Sequence, residues 1–426
     1  MTTASASPGL LIVSPCDPGS CGIYFGVQRR ALSSAVALAR ATGRRLVLPP
    51  VEWYDGQAQE FANAFHATAQ GRTPLYARWS DLYDIDALRQ GGIDVIEYHE
   101  ARIDHIDRAV LQTGNAANAR RGQSETEAKD QDLLRGHLTE RGCKQGRAGL
   151  QANFSFGTSD LGGMAVATDG GELWGRHVSI GALRCGVLDL QHLDAVKALG
   201  QWLGDAPVGA LFDVGHHIHT VFRDGVSHGL LQHHLRPSAA LEREALRFIE
   251  AELRESRPTA AGAAAKVAGS LTSRYVAVHW RHGDYVAYRT LSPLESVVKR
   301  VRAALEEIGC ASCPIFLMTN CRNVSALAEI RAALPTLVRY SPPAGQPHLA
   351  EEGPRLLVEQ AIAMRATSFV SNPRSAVSQF VDMVRSSRRP TRPRSAAHEA
   401  QLEHRLKIVR DLPRVLKRRA EAKAEL

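Results

Sequence analysis

Arg281, Gly283 and Asp284 follow directly on an apolar run in the stretch Tyr275 to Tyr285, which reads Y-V-A-V-H-W-R-H-G-D-Y. A guanidinium is a planar fork that fits two phosphate oxygens at once. Asp284 is spaced to hold that guanidinium, and Gly283 lets backbone come close to a ligand. Further polar groups end later apolar runs: Thr319 with Asn320, and Asn372 to Ser375. The last of these opens a helical pattern, so its N–H groups and the Ser375 hydroxyl suit an anion. An arginine beside a helix start describes a diphosphate site made without a metal. The alternative for Arg281 to Asp284 is a β-bulge or turn carrying a structural ion pair.

Such groups converge only if their strands run the same way. Tyr275 to Trp280 is β-branched and aromatic enough to be a buried strand. After it, Ser292-Pro293-Leu294-Glu295 reads as a capping box with proline at N1, opening a helix to Ile308. Strands at Ile315 to Met318, Thr336 to Tyr340 and Ser368 to Val370 then alternate with helices at Val324 to Leu334, Glu352 to Arg365 and Ser375 to Arg385. Alternation of this kind predicts a parallel sheet covered on both faces. In such a sheet all three polar strand ends share the carboxyl edge, where ligands bind.

The first half reads less regularly. Leu10 to Ser14 predicts a strand, the loop Pro15 to Gly22 (P-C-D-P-G-S-C-G) follows, and a helix covers Gly26 to Thr42 with an apolar stripe. Leu46 to Leu48 begins the next strand, Trp79 to Arg89 reads as helix, and Ile93 to Glu97 and Val208 to Val214 as strands. Asn115 to Gly175 has little periodicity and reads as a long irregular insertion. Ser238 to Glu255 is a strongly amphipathic helix, and Thr259 to Ser270 an Ala/Gly-rich connection. The expected organisation is a first Rossmann-like domain over residues 9–237, a second over 238–390, and a basic tail over 391–426.

The 426 residues are 44% hydrophobic with a net charge of +8. That excess lies at the end: from Arg385 onward there are 13 Lys/Arg against 5 Asp/Glu. No aromatic residue interleaves with those cations, which argues against specific nucleic-acid binding. No apolar run approaches the ~18 residues that span a bilayer. Met1 to Pro8 lacks the basic start and apolar core of a secretory leader, so the chain reads as cytoplasmic if its N-terminus is complete. Seven cysteines do not make a disulfide scaffold at this length. Cys310 and Cys313 form a C-x-x-C without a second pair, which disfavours a metal knuckle. His216, His217, His219, His228, His233 and His234 crowd one stretch without a metal-binding spacing, and a structural or solvent-facing role is expected.

His279-Trp280-Arg281-His282-Gly283-Asp284 resembles the histidine, apolar residue, arginine, x, x, aspartate signature of the GDP-fucose protein O-fucosyltransferases. Pro314 to Asn320 (P-I-F-L-M-T-N) and Leu356 to Phe380 are similar to two further blocks of that family, in order and spacing. Leu46 to Trp53 and Asp94 to Tyr98 resemble the branch that modifies thrombospondin type 1 repeats. The resemblance implies an α/β fold of two Rossmann-like domains facing across a cleft, the GT-B arrangement. It also implies an inverting transfer of fucose from GDP-fucose to a Ser/Thr hydroxyl of a protein acceptor, such as a cysteine-rich folded repeat, without a metal cofactor. The compartment implied is the endoplasmic reticulum lumen, with Cys143 and Cys185 paired.

Residue by residue, the resemblance places Arg281 on the developing diphosphate charge, with His279, Asp284, Thr319, Asn320, Glu359, Asn372 and Ser375 around the nucleotide sugar. Glu359 stands where the family has an aspartate, and is either a guanine acceptor or an ordinary helix-surface glutamate. Asn320 replaces the family's aspartate. The first loop departs most: Pro18-Gly19-Ser20-Cys21-Gly22 lacks the glutamate that serves as base in the thrombospondin-repeat branch. Asp17 is the carboxylate left for that role. A transferase using another nucleotide sugar or a glycan acceptor, and an inactive nucleotide- or glycan-binding member, are the alternatives.

Overall fold

The computed structural model describes residues 8–14, 25–54, 74–112, 166–174, 176–186, 193–213, 225–254, 274–282, 291–372 and 374–388. Asp17, Cys143, His216, His217, His219 and Asp284 lie outside them, so what the sequence suggests for those six is carried forward as expectation.

Strand β1 (Leu10–Ser14) has four consecutive buried residues, the pattern of a strand covered on both faces. Helix α1 (Phe25–Thr42) follows and lays Leu32, Ala35, Val36 and Ala39 on the sheet. Gly43 ends it with φ 66°, a left-handed conformation that suits glycine. Then come β2 (Arg45–Leu48), β3 (Val51–Tyr54), β4 (Pro74–Ala77), α2 (Trp79–Leu82), α3 (Ile85–Gln90), β5 (Val95–Glu97), α4 (Tyr98–Ala101) and β6 (His105–Gln112). Strands β7 (Val166–Leu173) and β8 (Arg176–Gly186), helix α5 (Leu193–Leu203) and strand β9 (Val208–Asp213) complete a seven-stranded sheet of order β5-β2-β1-β9-β6-β8-β7. Its pairs are parallel except β7 with β8, and β3 pairs antiparallel with β4 apart from it.

Helices α6 (Gly225–His234) and α7 (Ala239–Glu252) lead to the second sheet. It holds β10 (Val276–Trp280), β11 (Ile315–Thr319), β12 (Leu337–Val338) and β13 (Ser368–Val370), in order β12-β11-β10-β13 and wholly parallel. Helices α8 (Leu294–Glu307) and α9 (Val324–Ala333) cover one face, where Val276, Val278 and Trp280 meet Val297 and Val301. Helices α10 (Glu352–Arg365) and α11 (Ala376–Arg388) cover the other, where Tyr275, Ala277 and Phe316 are buried. Phe248 of α7 packs edge-on against Phe316 and Tyr340, which joins that helix to the second sheet. One apolar cluster runs from Leu11 and Leu46 through α1 and α7 to Phe316 and Met318, so both sheets share a core.

Several expectations are corrected. The insertion is not irregular to its end: Val166–Leu173 forms β7, and glycines and an aspartate in V-A-T-D-G-G-E-L, with two register shifts, hid it. The expected helix at Trp79 to Arg89 is two helices, parted where Tyr83 bridges to Pro237 and Asp84 caps the second by accepting from the Ala87 N–H. Pro293 is the N-cap of α8 rather than N1, and Ser292 makes no side-chain cap; its carbonyl accepts the Trp280 indole N–H at 3.3 Å instead. Cys310 and Cys313 are joined as a disulfide. Among the described residues no helix is long and apolar enough to cross a membrane.

Candidate functional site

Strands β10 and β11 run in register from Val276 opposite Ile315 to Trp280 opposite Thr319. Their next residues, Arg281 and Asn320, therefore leave the sheet at the same height. Side chains alternate along a strand, and since Val276, Val278 and Trp280 face α8, His279 and Arg281 project to the α10/α11 side. The Thr319 hydroxyl donates to the Trp280 carbonyl at 2.6 Å and accepts the Cys321 N–H at 3.0 Å. Asn320 Oδ1 accepts the His282 N–H at 2.8 Å. These bonds tie the two strand ends together beyond the last ladder pair. Only an uncharged or anionic acceptor at residue 320 makes that bond, and asparagine does so without adding charge.

A cavity of about 160 Å³ opens at this edge. His279, Arg281, Thr319, Asn320 and Glu359, all expected from the sequence, border it together with Arg322, Arg339, Glu352 and Arg355. Four arginines against two glutamates give its lining an excess of positive charge, the electrostatics that favour an anion. The geometry discriminates among the acids and bases. Burial pushes the Glu359 and Glu352 carboxyls up, opposed in each case by neighbouring arginines. Glu359 is 7% exposed, which removes the helix-surface alternative, and accepts from Arg355 Nε at 3.2 Å, one helical turn away. Burial also pushes the Arg339 guanidinium down.

His279 is buried, and burial, with the Arg281 charge added, pushes its imidazole down to about 3. That shift favours the neutral ring near neutral pH. Its Nδ1 lies 2.8 Å from Ser378 Oγ on the first turn of α11.

Asn372 and Ser375 do not border the cavity. They build the turn into α11 instead: Asn372 Oδ1 accepts from the Arg374 N–H at 3.3 Å, and Ser375 Oγ accepts from the Val377 N–H at 3.3 Å. Helix-capping serines and ligand-binding serines look alike in a sequence. Arg322, Arg339, Arg355 and Glu352 were not anticipated. Arg322 had a signal, sitting two residues beyond Asn320 at a strand end, and Arg339 likewise follows β12. Arg355 and Glu352 had none, because their helix reads as ordinary amphipathic surface. Of the histidine-rich stretch, His233 and His234 end α6, and no metal-sized cluster among the described residues includes them. Glu97, His99 and Glu100 do approach one another, but Glu97 and Glu100 are engaged in capping α4.

A family model described as GDP-fucose protein O-fucosyltransferase matches residues 24–388. Among solved structures, POFUT1 in complex with GDP-fucose is similar at TM-score 0.50 and 17% identity, over 90% of this chain and 95% of that one. POFUT1 in complex with GDP is similar at TM-score 0.50 and 16% identity, over 90% and 96%. The fucosyltransferase NodZ from Bradyrhizobium gives TM-score 0.38 and 13% identity, over 88% and 92%. No curated protein matches significantly. The fold expected from the sequence, α/β of the GT-B type, is the one observed.

Proposed function

Because the chain belongs to the GDP-fucose protein O-fucosyltransferase family, we propose that it moves fucose from GDP-fucose, with inversion, to a Ser/Thr hydroxyl of a protein acceptor. The observation that carries this reading is the cavity at the β10/β11 edge, where Arg281 and three further arginines outnumber two acids. As the sugar bond breaks, negative charge grows on the departing diphosphate. Arg281 answers that charge, and one such donor contributes about 3–4 kcal/mol to the transition state. Glu359, held by Arg355, is the candidate acceptor for the guanine edge. Asp284 keeps its place beside the nucleotide sugar in the proposal, whereas Asn372 and Ser375, also expected there, act through the turn into α11 that they build. No metal is needed where arginines supply the positive charge.

Asp17, which follows β1 in the sequence, is the proposed base. The sequence Pro18 to Gly22 after it lacks the expected glutamate, and this favours one second reading: a member that binds nucleotide and transfers nothing. A cysteine-rich repeat is the proposed acceptor, and the Cys310–Cys313 disulfide fits synthesis in an oxidising compartment such as the endoplasmic reticulum lumen.

The deciding experiment offers a panel of nucleotide sugars to the purified chain, reading thermal shift and nucleotide release with and without acceptor. GDP-fucose alone should stabilise the protein, and GDP release should rise only with acceptor and persist in excess EDTA. Preference for another sugar nucleotide would overturn the donor, and activity lost to EDTA and restored by manganese would overturn the metal-free site. Binding without release for every acceptor would establish the second reading.

A further inference from the structure

His279 is 4% exposed and borders the cavity, so the position of its one ring proton decides what it can do there. Ser378 is fully buried, and its Oγ accepts the Asn372 N–H at 2.8 Å. A hydroxyl has one hydrogen and two lone pairs. With one lone pair used by Asn372, the serine hydrogen has a single acceptor among the described residues, His279 Nδ1 at 2.8 Å. The reverse arrangement, in which Nδ1–H donates to the second lone pair, leaves a buried hydroxyl hydrogen unpaired, which folded proteins avoid. Nδ1 therefore accepts, and the proton of the neutral ring sits on Nε2. Nε2 makes no hydrogen bond to any described residue.

We infer that Ser378 is a positioning residue that locks His279 in the Nε2–H tautomer, making the imidazole a neutral hydrogen-bond donor to an anionic oxygen of a sugar nucleotide's diphosphate. The inference rests on reading the cavity as the diphosphate site, and it excludes His279 as the base that takes the acceptor proton. A donor beside Arg281 adds direction where the guanidinium supplies charge. The turn Asn372 to Ser378 acquires a purpose as well: its backbone holds the serine that orients the histidine.

The tautomer is read directly by ¹⁵N NMR of protein labelled in histidine, without activity and before any nucleotide is added. The expected spectrum has a protonated Nε2 and an unprotonated Nδ1 for the resonance that His279→Gln removes. An Nδ1–H pattern overturns the inference. Ser378→Ala should give mixed tautomers and weaken GDP binding about tenfold, the scale of one hydrogen bond to a charged group. Ser378→Thr keeps the hydroxyl and should restore both. Unchanged tautomer and unchanged GDP affinity in Ser378→Ala overturn the role of Ser378. If Ser378→Ala does not fold, the wild-type spectrum still decides the tautomer. If wild type shows Nε2–H but binds no GDP, the diphosphate reading falls while the lock stands, so the two failures are separable.

Discussion

His279 on β10 and Arg281 just past its end border one cavity, yet they ask for opposite tests. Arg281 is at the cavity as a charge with a two-pronged shape. Arg281→Ala should abolish transfer and weaken GDP binding, with kcat/KM down by roughly 10²–10³. Arg281→Lys should recover little, because an ammonium keeps the charge but not the fork. Turnover at the wild-type level in Arg281→Ala would remove the central residue of the proposed mechanism. His279 is a stability group at low pH. Its folded pKa, about 3, lies below the ordinary value of 6.5. Between those values the unfolded chain binds a proton that the folded chain refuses, so stability falls as pH drops through that window. The slope from this group is about 1.4 kcal/mol per pH unit. The raised carboxyls of Glu352 and Glu359 act in the opposite sense but are common to wild type and variant. Urea denaturation at pH 4.5 and 6.5 should therefore show a shallower acid loss in His279→Gln than in wild type. Equal losses would mean that the histidine titrates normally.

At the scale of elements, function gathers where parallel strands end. The β10 and β11 ends are stitched by Thr319 and Asn320, and the β13 end passes through the Asn372 turn into α11. Beyond the corresponding end of β1, the sequence continues to Asp17. If that carboxylate is the base, Asp17→Asn should lower kcat at least about tenfold, the discounted lower end for a positioned base, while GDP affinity stays unchanged. A role limited to capping the turn would show instead as lost thermal stability with kcat intact. Steady-state kinetics beside a melting curve separates the two.

At the scale of the whole molecule, the sheets are held to each other by more than apolar packing. Arg29 of α1 is 5% exposed; its Nη1 donates to Gln360 Oε1 of α10 at 2.7 Å and its Nη2 to the Ala376 carbonyl of α11 at 3.1 Å. Its guanidinium also sits 3.7 Å over the Phe380 ring. Burial pushes that guanidinium down, opposed by Tyr83. Gln360 in turn donates to the Val377 carbonyl at 3.3 Å, so the clasp reaches the turn that carries Ser378. Arg29→Ala should cost about 2–4 kcal/mol, since it removes buried volume and strands two buried acceptors. A urea midpoint at the wild-type value would show that apolar contacts alone join the sheets.

The sequence by itself determined the second sheet almost to the residue. Its strands are short apolar runs and its helices carry clear stripes, and these are local properties of adjacent side chains. It also determined Arg281, Thr319 and Asn320 as one group, because parallel alternation forces strand ends to a common edge. Glu359 came from the resemblance, and only its burial among arginines separated a cavity residue from a surface one. Strand β7 stayed hidden, since its glycines and bulges carry no periodicity and its pairing with β8 is what makes it a strand. The roles of Ser375 and Ser378 could not be read either: one caps its own helix and the other orients a histidine 99 positions away. Spacing along a chain reports which groups share an edge. Which of them touch a ligand and which hold the others in place depends on contacts between distant segments, and tertiary packing alone sets those.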